Sequence, residues 1–432
     1  MRFFLMKKNS LTALVILALV TVQLLFAGSI AKAASPTSDP AIPRTYFGMH
    51  FHRADAGTPW PSFPIGTWRL WDCFVAWPNL EPERGKWDFK RLDRYVAMAK
   101  LSGTTLLLPL GLSPRWASAR PTEASGYQPG NAAEPKDIED WRRYVRTVAE
   151  RYKGKIRDYE MWNEVNYPRF YSGSIDRMVL LTRETQQILK EVDPDNRLVS
   201  PSVVGAVRPE DPHFLWLDEF LKKGGGAYVD IVGYHFYVPT GAPEMMLPLI
   251  KRVQELMTKH GIREKPLWNT ETGWLIQNKE QPLAPGTYPA NWKVLDQDQA
   301  AAYLARSLIL GWYAGVSRYY WYAWDNKQMG LIEPESKSMK PEATAFAVTM
   351  RWLEGAKMKG CSTSDEVWVC SMTGGKGDDY SIAWSAATSK KRIRFSGGNP
   401  KEMEFIDGTR QPIRADGSEG ISIGGAPVRF IP

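Results

Sequence analysis

Cysteine and histidine are both scarce in this chain of 432 residues, which holds three cysteines and five histidines. The cysteines lack the paired spacing of a zinc site, and we expect no metal and no cofactor. No cluster of Lys and Arg of the kind that follows a phosphate backbone is present, so nucleic acid is not an expected partner. The chain also lacks a Gly-rich phosphate-binding turn and a repeat of fixed period.

The few cysteines still allow one structural prediction. Cys361 and Cys370 flank a predicted turn between two strands, and an oxidising compartment would allow them to pair, although the sequence does not establish the bond. Cys73 directly follows an apolar strand, and we expect it to be a small buried residue rather than a reactive thiol.

Long apolar runs are confined to the N-terminus. Basic residues precede an apolar run over residues 11–27, and residues 31–33 (Ala-Lys-Ala) provide small side chains at a cleavage spacing. This pattern predicts a secretory signal peptide at residues 1–33, and an uncleaved membrane anchor is the alternative. We therefore expect a periplasmic or secreted protein that contacts the membrane only through an uncleaved signal, if at all.

After a linker at residues 34–43, short apolar strands alternate with amphipathic helices over residues 44–354, as in a parallel sheet with helical crossovers. Eight strands are predicted: Tyr46 to His52, Thr67 to Asp72, Thr104 to Leu110, Asp158 to Asn163, Leu198 to Val204, Ile231 to Tyr237, Pro266 to Glu271 and Ser317 to Trp324. This α/β pattern predicts a (β/α)8 TIM barrel. A doubly wound sheet is the alternative, but it would need the phosphate-binding turn that is lacking.

Helices with apolar residues at spacings of three and four lie between these strands. We expect Ser174 and Asp211 to cap their helices, and Asp137 not to cap the helix that begins at Ile138. Residues 355–432 contain short strands separated by Gly, Asp, Ser and Asn, which predicts a small C-terminal antiparallel β domain. We expect that domain to pack on the side of the barrel rather than to bind carbohydrate.

Polar residues fall at the C-terminal ends of the predicted strands, where barrels of this type build their active sites. Glu164 ends the fourth strand and Glu271 ends the seventh. Cleavage of a glycosidic bond needs two such groups, a carboxylic acid and a carboxylate. Other polar or aromatic residues at strand ends are His50, His52, Arg69, Asp72, Asn163, His235, Tyr237, Trp324 and Asp325.

The order of these residues along the strands resembles the clan A retaining glycoside hydrolases: Arg on strand two, Asn-Glu on four, His-x-Tyr on six, Glu on seven and Trp on eight. The stretch WPNLEPERGKWDF at residues 77–89, followed by Leu92-Asp93, is also similar to that clan. Within the clan, the sequence is most similar to family 39 and to its relatives that hydrolyse biofilm exopolysaccharide of the Psl type.

The resemblance implies double displacement with retention of anomeric configuration, with Glu271 as nucleophile and Glu164 as general acid and then base. Arg69 and Tyr237 are suited to hold Glu271 as a carboxylate, by charge and by a hydroxyl hydrogen bond. Asn163 is suited to bond the sugar 2-hydroxyl. If the mechanism is retaining, the two carboxyl groups should lie about 5 to 5.5 Å apart.

Four more residues are expected at the substrate. His235 would orient a glutamate or a sugar hydroxyl, and Trp324 would offer an apolar platform to the sugar. His50 could contact the sugar but could equally be structural. Trp116 could line the cleft, although a single aromatic residue is more often part of the core.

The expected substrate is an extracellular polysaccharide cleaved within the chain, and an exo-glycosidase or a transglycosylase acting on oligosaccharides is the alternative. A barrel that binds polysaccharide without cleaving it is an alternative of another class. A metal-dependent amidohydrolase would use His50, His52, His235 and Asp325, but it would also need a histidine on the fifth strand, which has none. Neither the sugar, the linkage nor the oligomeric state follows from the sequence.

Overall fold

The computed structural model describes residues 40–205, 212–395, 400–413 and 420–432. The predicted signal peptide and the predicted cap Asp211 lie outside these residues. Ala41 to Pro432 form one compact unit. Among the described residues, no helix has the length and apolar character to cross a membrane.

Nine parallel strands form the main sheet, and they coincide with the eight predicted strands to within three residues at each end. They are β1 (Phe47–His50), β2 (Thr67–Arg69), β3 (Thr105–Leu110), β4 (Asp158–Met161), β5 (Arg197–Val199), β6 (Val203–Val204), β7 (Val232–His235), β8 (Leu267–Thr272) and β11 (Val316–Trp321). Almost every residue in them is buried, as in a parallel sheet covered on both faces.

The sheet closes into a barrel. Its hydrogen-bonded order is β5-β4-β3-β2-β1-β11-β8-β7-β6, so β5 and β6 stand at its two ends. These two strands are consecutive pieces of one segment that is interrupted around Pro201, a residue that cannot donate a backbone hydrogen bond. A bridge between Val199 and Ile231 also joins the two ends. The predicted (β/α)8 barrel is confirmed, with its fifth strand broken in two.

Eight α-helices are described: α1 (Trp77–Leu80), α2 (Lys90–Ser102), α3 (Ile138–Arg151), α4 (Ile175–Val192), α5 (Pro212–Lys222), α6 (Met246–Lys259), α7 (Gln297–Tyr313) and α8 (Pro341–Leu353). Ser174 caps α4 as predicted, because its side chain accepts from the Arg177 N–H. The prediction for Asp137 was wrong: its carboxylate accepts from the Glu139 N–H and caps α3.

Short strands also pair outside the barrel. Strands β9 (Leu275–Ile276) and β10 (Val294–Leu295) form a two-stranded sheet between β8 and α7. The C-terminal strands are β12 (Lys357–Ser364), β13 (Val367–Thr373), β14 (Asp379–Ser385), β15 (Lys391–Ile393), β16 (Glu402–Phe405), β17 (Arg410–Pro412), β18 (Ile421–Ile423) and β19 (Val428–Ile431). Six of these form an antiparallel sheet in the order β12-β13-β14-β19-β16-β17, while β15 pairs with β18.

The antiparallel sheet is tied to the barrel by polar contacts of buried and partly buried groups. Glu404 on β16 accepts from the Trp352 indole of α8 at 2.9 Å, and the Trp384 indole of β14 donates to Glu244 at 2.8 Å. Strand β12, which carries Cys361 before the predicted turn, has a polar sequence and mostly exposed side chains. It is joined to β13 by the disulfide Cys361–Cys370, with sulfurs 2.03 Å apart, while Cys73 is free and buried.

Candidate active site

Glu164 and Glu271 face each other at the C-terminal end of the barrel. Glu271 lies on β8 and is 6% exposed, and Glu164 follows β4. One carboxylate oxygen of each lies within 4.8 Å of the other and of a ring nitrogen of His235. An oxygen–oxygen distance of at most 4.8 Å is compatible with the about 5 to 5.5 Å between the carboxyl groups of retaining pairs and is shorter than the roughly 6.5 to 9.5 Å of inverting pairs.

The backbone that presents Glu164 is held in an unusual conformation. Trp162 and Glu164 both have left-handed φ angles, 55° and 43°. The Trp162 N–H donates to the Leu110 carbonyl at 2.8 Å, and its indole donates to the Phe170 carbonyl at 2.7 Å. Strained residues of this kind persist only where their surroundings fix them, and they cluster at functional sites.

Arg69 connects both glutamate-bearing strands. Its Nε lies 2.6 Å from Glu160 Oε2, and one terminal nitrogen lies 2.9 Å from Glu271 Oε2. The other terminal nitrogen donates to Asn163 Oδ1 at 2.7 Å. Burial lowers the pKa of Arg69, but the carboxylates of Glu160 and Glu271 outweigh it and hold the pKa above its usual value. Arg69 is therefore a fixed cation beneath the site.

The carboxyl group of Glu271 is held on both oxygens. The Tyr237 hydroxyl donates to Oε1 at 2.9 Å, opposite Arg69 at Oε2. Burial raises the pKa of Tyr237 well above its usual value, so the phenol keeps its proton to donate. Burial also raises the pKa of Glu271 to about 7, with Glu164 adding to the rise and Arg69 opposing it. The sequence predicted a more readily ionised Glu271 carboxyl group. Arg69 opposes the rise in pKa, but it shares its positive charge with Glu160.

Glu164 has a different partner. Nδ1 of His235 lies 3.1 Å from Glu164 Oε1 and 4.0 Å from Glu271 Oε1. Burial lowers the pKa of His235 to about 4, so the imidazole is neutral at pH 7 and supplies a hydrogen bond rather than a charge. A neutral His235 can donate Nδ1–H to Glu164 Oε1.

Asn163 is oriented by Arg69. Because its Oδ1 accepts from the guanidinium, its amide nitrogen is turned away from Arg69 and keeps its two N–H donors. The side chain is 2% exposed and directly precedes Glu164. It can donate to a sugar hydroxyl beside the two carboxyl groups.

The site also contains residues to which the sequence assigned no role. Asp72 accepts from the Tyr322 hydroxyl at 2.6 Å and from the Tyr127 hydroxyl at 2.8 Å. Burial raises the pKa of Tyr322 well above its usual value, and the nearby charges of Asp72 and Glu271 raise it further. Tyr322 directly follows β11, but its aromatic neighbours in sequence give no signal that selects it. Glu160 had a signal: it is a charged residue in the middle of a buried strand.

The predicted sugar platform at Trp324 is corrected. The strand ends at Trp321 rather than at Trp324, and the Trp324 side chain is 1% exposed. Its indole donates to the Pro59 carbonyl at 2.8 Å and packs near the rings of Phe51 and Phe63. A ring enclosed in this way offers no open face to a sugar.

The side chains of Trp116 and His50 also make structural contacts with other protein groups. The Trp116 indole donates to the Glu81 carbonyl at 3.0 Å and packs edge-on against Trp77, within the WPNLEPERGKWDF stretch. His50 has no exposed surface, and its Nε2 lies 3.1 Å from the Thr270 carbonyl oxygen. Burial lowers the pKa of His50 well below its usual value. The His50 ring packs edge-on against the Tyr322 ring, with ring centroids 5.1 Å apart, so His50 supports the side chain of Tyr322.

The donor set of a metal-dependent amidohydrolase is not assembled. Asp325 accepts from the N–H groups of His52 and Arg53 and from the Thr58 hydroxyl, so its carboxylate holds the loop after β1. Within the described ranges, the one group of possible metal donors that lie within 4.8 Å of one another is Glu164, His235 and Glu271. Arg69 already supplies a positive charge to that group.

Comparison with known proteins agrees with this geometry. The sequence profile described as glycosyl hydrolases family 39 matches residues 69–309, more than half of the chain. The chain belongs to glycoside hydrolase family 39. The matched segment begins at Arg69 and contains both Glu164 and Glu271. It is thus a glycosidase of a retaining clan A family.

Solved structures share the fold of this family 39 enzyme at low sequence identity. A family 39 glycoside hydrolase from Bacteroides cellulosilyticus WH2 is 17% identical, with a TM-score of 0.68 over 91% of this chain and 82% of that chain. A glucosidase from Croceicoccus marinus is 14% identical, with a TM-score of 0.59 over 88% and 82%. A monomeric β-xylosidase from Caulobacter crescentus CB15 is 18% identical, with a TM-score of 0.57 over 78% and 75%.

Proposed function

We propose that this family 39 enzyme cleaves glycosidic bonds with Glu271 as nucleophile and Glu164 as general acid and base. The observation that carries the assignment is the unequal surroundings of the two groups. Glu271 is bonded by Arg69 and Tyr237, which stabilise a carboxylate, whereas Glu164 is bonded by a neutral histidine.

In the first step, a carboxylate oxygen of Glu271 attacks the anomeric carbon. The bond to the leaving oxygen breaks, and Glu164 transfers its proton to that oxygen. In the second step, the Glu164 carboxylate takes a proton from water, whose oxygen displaces Glu271 from the anomeric carbon. Two inversions give net retention, and each glutamate returns to its initial state.

We further propose that the substrate is an extracellular polysaccharide cut within its chain. Two neighbouring cavities support an extended substrate: one of about 770 Å³ and one of about 320 Å³ share Asp72 and Phe74 as lining residues. The signal-like N-terminus supports a location outside the cytoplasm. The Cys361–Cys370 disulfide supports it too, since disulfides persist in oxidising compartments.

Trapping the covalent intermediate tests the catalytic assignment. A panel of 4-nitrophenyl glycosides, beginning with the β-xyloside and the glucosides that the solved relatives suggest, identifies a sugar that is cleaved. The 2-deoxy-2-fluoro analogue of that sugar should label the enzyme once, on the peptide that contains Glu271. A label on Glu164, or an inverted product, would contradict the proposal.

Products released from a polysaccharide test the mode of cleavage. Cutting within the chain should lower viscosity early and release oligosaccharides of mixed length. A monosaccharide as the sole early product would show exo action instead. Background turnover of every glycan tested by both the wild type and Glu271→Gln, together with glycan binding, would favour the non-catalytic alternative.

A further inference from the structure

Phe74 is an exposed aromatic residue in a strained conformation beside the active site. Its side chain is 57% exposed, and its φ angle is 61°, in the left-handed region. A bulky residue there is a conformational outlier, and such outliers concentrate at binding and catalytic sites. Neither the catalytic assignment nor the packing of the core uses this ring.

The position of the Phe74 ring is fixed from one side. The Arg91 guanidinium lies 5.0 Å from the ring centroid, and Arg91 is itself held by Asp55 at 3.0 Å. Asp72, two residues earlier, also has a left-handed φ angle of 55° and is bonded to two tyrosine hydroxyls. The Phe74 ring is thus exposed but already held in position in the free enzyme. This reduces the entropy cost of ordering the side chain when a ligand binds.

The larger of the two cavities, here called the Phe74 cavity, is lined by Phe74, Trp71, Tyr127 and several prolines. Its volume of about 770 Å³ lies within the roughly 300 to 1,000 Å³ of small-molecule sites. Arg115 and Gln128 lie at its rim and can donate hydrogen bonds. Apolar walls with a few polar groups match a sugar ring, which has a C–H face and hydroxyl edges.

The Phe74 cavity adjoins the catalytic carboxyl groups. Tyr127, which lines it, donates to Asp72, which also accepts from Tyr322. Trp71, which also lines the cavity, has its ring centroid 5.8 Å from the Arg69 guanidinium, and Arg69 lies 2.9 Å from Glu271 Oε2. A chain that crosses the cleavage point can therefore continue over Asp72 into the cavity.

We propose that the Phe74 cavity is a second glycan subsite, in which the Phe74 ring carries an uncharged sugar unit of the same chain whose bond is cleaved. This rests on the proposed function, and it specifies an oligomeric glycan as substrate. An uncharged unit is favoured because one carboxylate, Asp72, and one guanidinium, Arg115, line the cavity. The second subsite makes chains better substrates than single glycosides.

Chain-length kinetics on ring variants test this subsite. The substrates are the 4-nitrophenyl glycoside that the wild type cleaves and linear oligosaccharides of two to five units of the same sugar. Phe74→Gly removes the ring and suits the left-handed backbone, so folding is not at risk. Phe74→Trp keeps an aromatic face, and Leu101→Ala removes a hydrophobic side chain that is 89% exposed on α2.

For the wild type, kcat/KM should rise with chain length. In Phe74→Gly the ratio of kcat/KM for the longest chain to that for the aryl glycoside should fall about tenfold, the size of one aromatic stacking contact. Phe74→Trp should restore the ratio, and Leu101→Ala should not change it.

A wild-type profile that is flat with chain length would overturn the proposal, as would equal losses on both substrates in Phe74→Gly. Either result would leave the cleavage of the aryl glycoside in place, so the proposed catalytic roles of Glu271 and Glu164 would stand. Failure to cleave any glycoside would instead refute the proposed function.

Discussion

Nε of Arg69 lies 2.6 Å from Oε2 of Glu160, and neither side chain has any exposed surface. The guanidinium therefore serves two carboxylates, because it also lies 2.9 Å from Glu271. Burial is the main cause of the raised pKa of Glu271, and Glu160 balances part of the positive charge with which Arg69 opposes it. Through Arg69, Glu160 can influence the charge state of Glu271, the proposed nucleophile.

Glu160→Gln should move the acidic limb of the pH profile to lower pH. The amide keeps an oxygen acceptor for Arg69 but removes a negative charge, so Arg69 stabilises the Glu271 carboxylate more strongly. The pKa of Glu271, about 7 in the native chain, should fall, and kcat/KM should be retained at more acidic pH. The measurement is kcat/KM against pH for an aryl glycoside. An unchanged limb would mean that Glu160 has only a packing role.

Tyr237→Phe should move the same limb in the opposite direction. The hydroxyl that donates to Glu271 at 2.9 Å is lost, so the carboxylate is less stable and its pKa rises. Below neutral pH, kcat/KM should fall by roughly 10- to 100-fold, the worth of a hydrogen bond to a charged group. The opposite shifts of the two variants distinguish an effect on Glu271 from general damage. A limb that moves the same way in both would contradict the assignment.

The barrel could be predicted from the sequence because buried parallel strands leave a strong pattern of short apolar runs. Glu271 was predicted at the end of its strand, and β8 ends one residue later. Glu164 lies three residues after the end of β4, and the left-handed backbone of Trp162 and Glu164 presents it to the site. Trp324 failed because the aromatic run after Val316 hides where β11 ends. The predicted strand end lies three residues too late, and the Trp324 ring lies in the core rather than at the site. Tyr127 could not be found, because it reaches Asp72 from a long loop whose path is set by tertiary contacts.

Glu164→Gln should separate substrates by their leaving groups. A general acid contributes typically about 10²- to 10⁴-fold when the leaving oxygen needs a proton. We expect a loss of that size on unactivated oligosaccharides and a much smaller loss of the first step on a 2,4-dinitrophenyl glycoside, which leaves without protonation. Burst kinetics measure that step. Equal losses on both substrates would show that Glu164 is not the proton donor.

Tyr322→Phe and Trp324→Phe form a matched pair of aromatic substitutions. The Tyr322 hydroxyl bonds Asp72 at 2.6 Å beside Glu271, so its loss should lower kcat/KM roughly tenfold with little change in Tm. Trp324→Phe removes a buried indole and its bond to Pro59, so we expect a loss of about 1 to 3 kcal/mol of stability with kcat/KM unchanged. Thermal unfolding and kinetics on both variants check the pair. A large rise in KM in Trp324→Phe would restore the platform prediction.

The disulfide joins adjacent strands of the C-terminal sheet, far along the chain from the catalytic groups. It closes a loop with a sequence separation of 9, which in the chain-entropy treatment stabilises by about 3 kcal/mol. Reductant should lower the Tm of the wild type and leave kcat/KM at 25 °C unchanged. Cys361→Ala/Cys370→Ala should have the lower Tm with or without reductant.

Thiol counting makes the disulfide test independent of stability. Cys73 is the free cysteine and is buried, so one thiol per chain should react after denaturation without reductant, and three should react after reduction. Three reactive thiols in the unreduced protein would show that the bond does not form in that preparation. A loss of kcat/KM on reduction that follows the fall in Tm would mean that the C-terminal sheet supports the barrel, because the reduced bond itself touches no catalytic group.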